Sequence, residues 1–143
     1  MVKGTDYTGI TIIFRCHDGN GNYVLHKRSA TCRDEHGRWD FGGGGLKFGE
    51  NIEDCLRREI KEEYGADVLE HTYLGHEEVH RIHDDKPTHW IAFRYKVLVD
   101  KDTVFNAEPD KKEEIGWFTL DSLPEPLHSV VEKNLSFYKT ELI

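Results

Sequence analysis

Three glutamates within five residues, Glu59, Glu62 and Glu63, are the feature of this sequence most able to do chemistry. They lie in segment 51–64, which reads as a helix. Asn51 stands where an N-cap belongs, Glu53 and Asp54 fall in the first turn, and Gly65 is placed to end it. At about 100° per residue, Ile52, Leu56 and Ile60 define one apolar stripe. Glu63 lands inside that stripe, Glu59 at its edge and Glu62 further round, whereas Glu53, Asp54, Arg57, Arg58 and Lys61 form an ordinary solvated face. Carboxylates crowded against apolar surface lose hydration and raise one another's pKa. Two readings follow: the acids bend out to solvent, or they cage a hard divalent cation, Mg²⁺ or Mn²⁺, which takes oxygen ligands.

The residues before the helix bear on that choice. Gly42–Gly45 are four consecutive glycines, which let a backbone approach a ligand closely. A loop feeding a helix N-terminus also offers unpaired N–H groups to anions. Composition sets the wider frame. The 143 residues carry 19 Lys and Arg against 27 Asp and Glu, a net charge of −8, the wrong sign for a nucleic-acid polymer as partner. A phosphate-rich small molecule is compatible with it, provided that a cation is supplied locally. With 3 Trp, 6 Tyr and 7 Phe the chain is too aromatic to be disordered. Its length suits one domain, 1–143. No apolar run approaches the ~20 residues of a membrane span, so no membrane partner is expected. Cys16, Cys32 and Cys55 form no C-x-x-C pair, and reduced thiols in a cytoplasmic protein are expected.

The elements that must position the acids can be read coarsely. Thr8–Phe14 and Tyr23–Lys27 predict a hairpin around Asp18–Asn22, and 33–45 reads as irregular. Val68–Arg81 and His89–Val99 predict two strands around a polar loop at 84–87, and Gly116–Leu120 a short strand. Pro126 opens a last helix with Leu127, Val130, Val131, Leu135 and Tyr138 on one face. The order predicts an α+β fold, a mixed β-sheet packed between helices. Trp90 and Trp117 read as core. His76, Glu78 and His80 alternate onto one strand face, expected to line a pocket; a zinc site with His83 is the less favoured reading.

Residues Gly44 to Ala66, GGLKFGENIEDCLRREIKEEYGA, resemble the Nudix box, G-x5-E-x7-R-E-U-x-E-E-x-G-U, where U is a bulky aliphatic. Gly44, Glu50, Arg58, Glu59, Ile60, Glu62, Glu63 and Gly65 fall in register; only Ala66 departs. Trp39–Gly44 is similar to the family's W-x-x-P-G-G approach with Gly42 replacing proline, and Lys47 stands where many members carry an acid. The resemblance implies an α/β/α sandwich that hydrolyses nucleoside diphosphates linked to another moiety, with Mg²⁺ or Mn²⁺ as cofactor. It implies that Glu59, Glu62 and Glu63 hold metal or activate water, that Glu50 supports them, that the Gly43 carbonyl is a further ligand, and that Arg58 orients a carboxylate. Glu59 is the favoured base, with Glu113 the other candidate or an extra ligand. Arg28, Lys27, Gly43, Gly44 and Lys47 are the implied substrate contacts. A MutT-like (deoxy)nucleoside triphosphate pyrophosphohydrolase, monomeric or homodimeric, is the favoured function. Pyrophosphatases of ADP-ribose, nucleotide sugars or coenzyme A, and a non-catalytic nucleotide sensor, are the alternatives.

Overall fold

A computed structural model describes residues 1–143. Seven strands form one mixed sheet: β1 (Gly9–His17), β2 (Asn22–Arg28), β3 (Trp39–Asp40), β4 (Gly43–Gly45), β5 (Val68–His83), β6 (Lys86–Val99) and β7 (Lys112–Thr119). Their order is β3-β2-β1-β6-β5, with β4 added to β1 and β7 to β2. Only β1 and β6 run parallel; the other pairs are antiparallel. Helix α1 (Ile52–Tyr64) covers one face, and α2 (Ser129–Lys133) and α3 (Leu135–Leu142) pack on the other. No helix is long and apolar enough to cross a membrane.

The alternation of side chains along the strands builds two cores. Ile12, Phe14 and Cys16 of β1 and Val24 of β2 point to one face, where Cys55, Leu56, Ile60 and Tyr64 of α1 close over them. Tyr23 and Leu25 point the other way, to meet Trp39, Phe41, Leu127, Val131, Tyr138 and Leu142. The apolar stripe read from α1 is therefore the one it buries.

The hairpin expected between β1 and β2 exists only at its closed end. The two strands pair at His17 and Tyr23 and then part. Beyond that point β4 takes the free edge of β1, pairing Thr11, Ile12 and Ile13 with Gly45, Gly44 and Gly43, while β7 takes the edge of β2. The glycine run is thus a strand rather than an irregular loop. It lies so close to β1 that a methyl at Gly43 would fall 2.6 Å from the Ile12 carbonyl. The seam that opens between the two halves of the sheet is where the functional residues gather.

Other boundaries shift for local reasons. Strands β5 and β6 extend to His83 and Lys86, because Asp84 and Asp85, both at positive φ (50° and 62°), complete a tight two-residue turn instead of a longer loop. The C-terminal helix starts at Ser129 rather than Pro126, with the His128 ring accepting from Val130 N, and it breaks at Asn134 into two short pieces. Helix α1 runs between Asn51 and Gly65 as expected, although the Asn51 amide bonds to Asp54 instead of capping a backbone N–H. Gly65 ends it at φ 65°, and a methyl there would fall 2.1 Å from the Phe105 ring. Gly65→Ala is expected to destabilise the protein by at least ~1 kcal/mol from the left-handed backbone alone, more once Phe105 is displaced; chemical denaturation measures it.

Candidate active site

Helix α1 presents its glutamates to the seam as the wheel predicts. The side chains of Glu59 and Glu63 are 14% and 13% exposed and that of Glu62 is 48%, so the first two face inward and the third sits at the rim. Arg58 binds three of the box acids at once. Its Nε and Nη2 donate to the Glu50 carboxylate at 2.7 and 3.0 Å, and its Nη1 donates to Glu59 at 2.9 Å and to Glu62 at 3.2 Å. Nη2 also donates to the Gly45 carbonyl at 3.2 Å, which ties the helix to β4. This pairing holds the Glu50 carboxyl down at about 2. Burial pushes Glu59 up and Glu63 well above the carboxylate range.

Glu63 is the most constrained of the group. Its Oε2 is buried and has no hydrogen-bond partner. Glycines make room for it and for Glu59: a methyl at Gly42 would fall 3.1 Å from Glu63 Oε2, and one at Gly44 would fall 2.0 Å from the Glu59 carboxyl carbon. From the far side Lys112, itself buried, approaches with Nζ 2.8 Å from Glu108 and 3.9 Å from Glu63. A side chain of the protein therefore supplies part of the positive charge among the acids. It does not supply all of it, because the five acids Glu50, Glu59, Glu62, Glu63 and Glu108 pair only with Arg58, Lys112 and the exposed Lys111. A carboxylate-rich donor set with an orphaned buried oxygen fits a hard dication.

Two clefts meet at this point. One, acidic, is bounded by Glu59, Glu62, Glu63, Glu108 and Lys112. The other, about 350 Å³, lies on the opposite face of the sheet against Ile13, Val79, Trp90, Ala92, Val130 and Tyr138. His26, Arg28, Arg33, Gly43, Gly44 and Glu63 line both, so one elongated ligand can reach from one to the other. Arg28 is fixed by Asp34, donating to its carbonyl at 3.0 Å and to its carboxylate at 3.2 Å. Tyr64 donates to the Phe41 carbonyl at 2.8 Å, so the His26 Nδ1–H donates to the Tyr64 oxygen and leaves Nε2 unprotonated.

The structure brings together Glu59, Glu62, Glu63, Gly43, Gly44 and Arg28, with Arg58 and Glu50 bound to one another just outside. Glu113 and Lys27 instead pair with each other at 3.6 Å on β7 and β2 and line neither cleft. Lys47 is exposed and also lines neither. The acid that the C-terminal half delivers is Glu108, five residues before Glu113. The face bearing His76, Glu78 and His80 does not line the cleft as expected; Val79 and Arg81, which alternate with it, do. Glu78, His80 and His89 hold ligand atoms within 4.8 Å of one another, whereas His83 pairs with Asp84. Trp90, read as core, forms a cleft wall seated against Gly4 and Gly9. Arg15, His26, Asp40, Glu108 and Lys112 are the site residues that sequence reasoning passed over. Only for Arg15 did a signal exist: a lone charge inside the apolar run of β1.

Comparison with known proteins agrees with this geometry. A family profile described as NUDIX domain matches residues 7–139. A nucleoside triphosphatase NudI from Enterobacter sp. (strain 638) is 32% identical over 122 residues, covering 79% of this chain and 84% of that protein. Its namesake from Escherichia coli O139:H28 is 41% identical over 59 residues, covering 41% of this chain and 42% of that one. Among solved structures, a MutT NUDIX hydrolase from Burkholderia pseudomallei superposes with a TM-score of 0.76 at 30% identity, covering 91% of this chain and 97% of its own. The MutT protein of Methanosarcina mazei Go1 shares the fold, with a TM-score of 0.76 at 22% identity over 94% of each chain.

Two measurements probe this geometry. Burial lowers His26 from 6.5 to about 4. The unfolded chain takes up that proton as pH falls through 6.5 and the native protein does not, so native stability drains between pH 6.5 and 4 and is unaffected above. Relative to the wild type, His26→Asn is expected to abolish up to about 3 kcal/mol of that acid destabilisation in denaturant titrations at pH 7 and pH 4. Gly44→Ala is expected to push the Glu59 carboxylate off its seat and to weaken Mg²⁺ or Mn²⁺ binding about 10-fold or more, read by calorimetry.

Proposed function

The chain belongs to the Nudix family, whose hydrolases act on phosphoric anhydrides, and from that premise we propose that it is a divalent-metal-dependent pyrophosphohydrolase of (deoxy)nucleoside triphosphates. One observation carries this reading: the partnerless Glu63 oxygen lies where an acidic cleft meets a second, largely apolar one. That junction suits a ligand with a polyphosphate at one end and a planar base at the other. The names of the relatives, nucleoside triphosphatase and MutT, point to the same substrate class.

In this reading Glu63, Glu59 and Glu62, with the Gly43 carbonyl, hold Mg²⁺ or Mn²⁺. When bound, the dication supplies charge neutralisation for the phosphate oxygens and lowers the pKa of the attacking water. Arg58 orients the acids by gripping Glu50, Glu59 and Glu62, and Glu50 stays ionised at about 2 to anchor that grip. Glu59 takes the proton from water: burial raises its basicity, and Arg58 holds only its Oε1. Arg28 and Arg33, at the junction, receive phosphate oxygens, and Lys112 offsets charge beside Glu63. Water attacks one phosphorus, the anhydride oxygen leaves with the pyrophosphate, and a nucleoside monophosphate remains. One domain spanning 1–143 carries the whole site. The reading places a monomer or homodimer in the cytoplasm, its three cysteines free, with no membrane or nucleic-acid polymer as partner.

Purified protein incubated with Mg²⁺ and a panel of nucleoside triphosphates, ADP-ribose, nucleotide sugars and coenzyme A is expected to release pyrophosphate from the triphosphates. Glu59→Gln is expected to lower kcat by roughly 10²–10⁴-fold, the usual worth of a general base, with KM little changed. Undiminished turnover by Glu59→Gln and Glu63→Gln alike would overturn the proposal.

A further inference from the structure

The β5–β6 hairpin carries a second group of metal-ligating side chains, which shares no residue with the acids of α1. Glu78 and His80 stand two apart on β5, and His89 of β6 is paired with His80, so all three project from one face of the sheet. It is the face that α1 covers further along the strands; Val79 and Trp90, which alternate with the three, line the cleft on the other. The ligand atoms of Glu78, His80 and His89 all lie within 4.8 Å of one another. The remaining histidines of this hairpin each meet a single polar partner: His71 meets Glu53, His76 the Tyr73 hydroxyl and His83 Asp84. Only at His80 and His89 do two imidazoles converge with a carboxylate.

His89 is oriented from both ends. Its Nδ1 lies 3.0 Å from the Thr8 hydroxyl and its Nε2 3.1 Å from Glu78 Oε1. A hydroxyl accepts the Nδ1 proton as readily as it gives one, so Nε2 can present its lone pair to an ion standing between it and Glu78. An oxygen on the second ring nitrogen is how metal-bound histidines are held in place. Two donors on a tetrahedral Zn²⁺ stand ~3.4 Å apart, close to the 3.1 Å between His89 and Glu78. His80 stacks on His89, with ring centroids 4.2 Å apart and planes 14° from parallel. No protein group bonds its ring nitrogens and the side chain is exposed, so a turn of the ring brings a nitrogen onto the same ion.

Donor type separates this group from the glutamates of α1. Carboxylate and carbonyl oxygens suit Mg²⁺ or Mn²⁺, whereas two imidazoles and one carboxylate suit Zn²⁺, with water in the fourth position. We propose that Glu78, His80 and His89 form a zinc site that clips β5 to β6, with Thr8 as the positioning residue for His89. The ion joins the two strands directly behind Val79 and Trp90, so it braces a wall of the second cleft without entering it. The assignment uses no residue given a hydrolytic role, so neither reading depends on the other.

The test is titration of the full chain with Zn²⁺, and separately with Mg²⁺, followed by NMR of the histidine rings and by thermal melting. Ring resonances report which imidazoles take the ion, whatever the glutamates of α1 bind. Zn²⁺ is expected to displace the signals of His80 and His89 and to raise Tm, and Mg²⁺ to displace neither ring. His80→Gln and His89→Gln are each expected to weaken the zinc binding seen at the remaining ring by more than ~10-fold and to abolish the rise in Tm that it causes. Thr8→Val is expected to weaken it about 10-fold with the zinc-free Tm unchanged, and Thr8→Ser, which keeps the hydroxyl, to restore it. Glu78 and His80 are exposed, so their substitutions leave the zinc-free fold intact; Glu78→Gln serves if the His89 variant does not fold. Zinc that leaves both rings unmoved, zinc bound as tightly by His80→Gln and His89→Gln as by wild type, or an equal response to Mg²⁺ would each overturn the assignment. Any of these outcomes leaves pyrophosphate release from nucleoside triphosphates to be judged on Glu59 and Glu63 alone.

Discussion

A carboxylate is held inside a protein only where something opposes its desolvation, and the site is organised around that constraint at Glu63. Its Oε2 has no hydrogen-bond donor, and the nearest cation, Lys112, stands 3.9 Å from the other oxygen and closer to Glu108. The sheet accommodates this by splitting. β1 and β2 part after one pair, and β4, three glycines, enters against β1. Side chains at Gly42 or Gly44 would occupy the space that the glutamates need. The seam is thus the feature of the fold that lets an acidic helix face meet a sheet without being filled.

Charge is distributed around that seam with a gradient. At the outer end Arg58 fixes Glu50, Glu59 and Glu62 through a fan of hydrogen bonds, so these acids are positioned rather than merely crowded. At the inner end the acids outnumber the cations, and burial raises Glu59 and Glu63. The chain as a whole carries −8, so Arg28 and Arg33 at the junction, like Lys112, run against the general field. Positive groups gathered at one seam of an acidic protein suit capture of a compact polyanion and offer little to an extended one.

The two faces of the sheet divide the labour. Beneath α1 lie the acids; beneath α2 and α3 lie Trp90 and the apolar walls of the second cleft, to which α3 itself contributes Tyr138. His26 and Arg28 on β2 touch both spaces because β2 lines the seam, and the Tyr64 hydroxyl links His26 to the Phe41 carbonyl across it. A ligand that fills both spaces bridges the two cores; between them His26 and Arg28 have polar atoms committed to fixed partners, whereas Glu63 Oε2 has none.

What the sequence determined by itself is local. The span of α1, its end at Gly65 and the inward set of Glu59 and Glu63 follow from a 3.6-residue period and a glycine at positive φ, and neither needs a distant neighbour. The spacing of the Nudix box is of the same kind, since its members lie within 23 residues and share one helix and the loop before it. What only the tertiary structure decided is which far-off residues arrive at that helix. Glu108 rather than Glu113 enters because β7 begins at Lys112 and turns its next acid outward to Lys27. The glycine run becomes a strand because β1 has lost β2 as a partner there, and Tyr138 comes to cover Arg15 because α3 packs on that face of the sheet. Pairing register and sheet order, properties of contacts between distant segments, fix all three, and no pattern along a single segment encodes them.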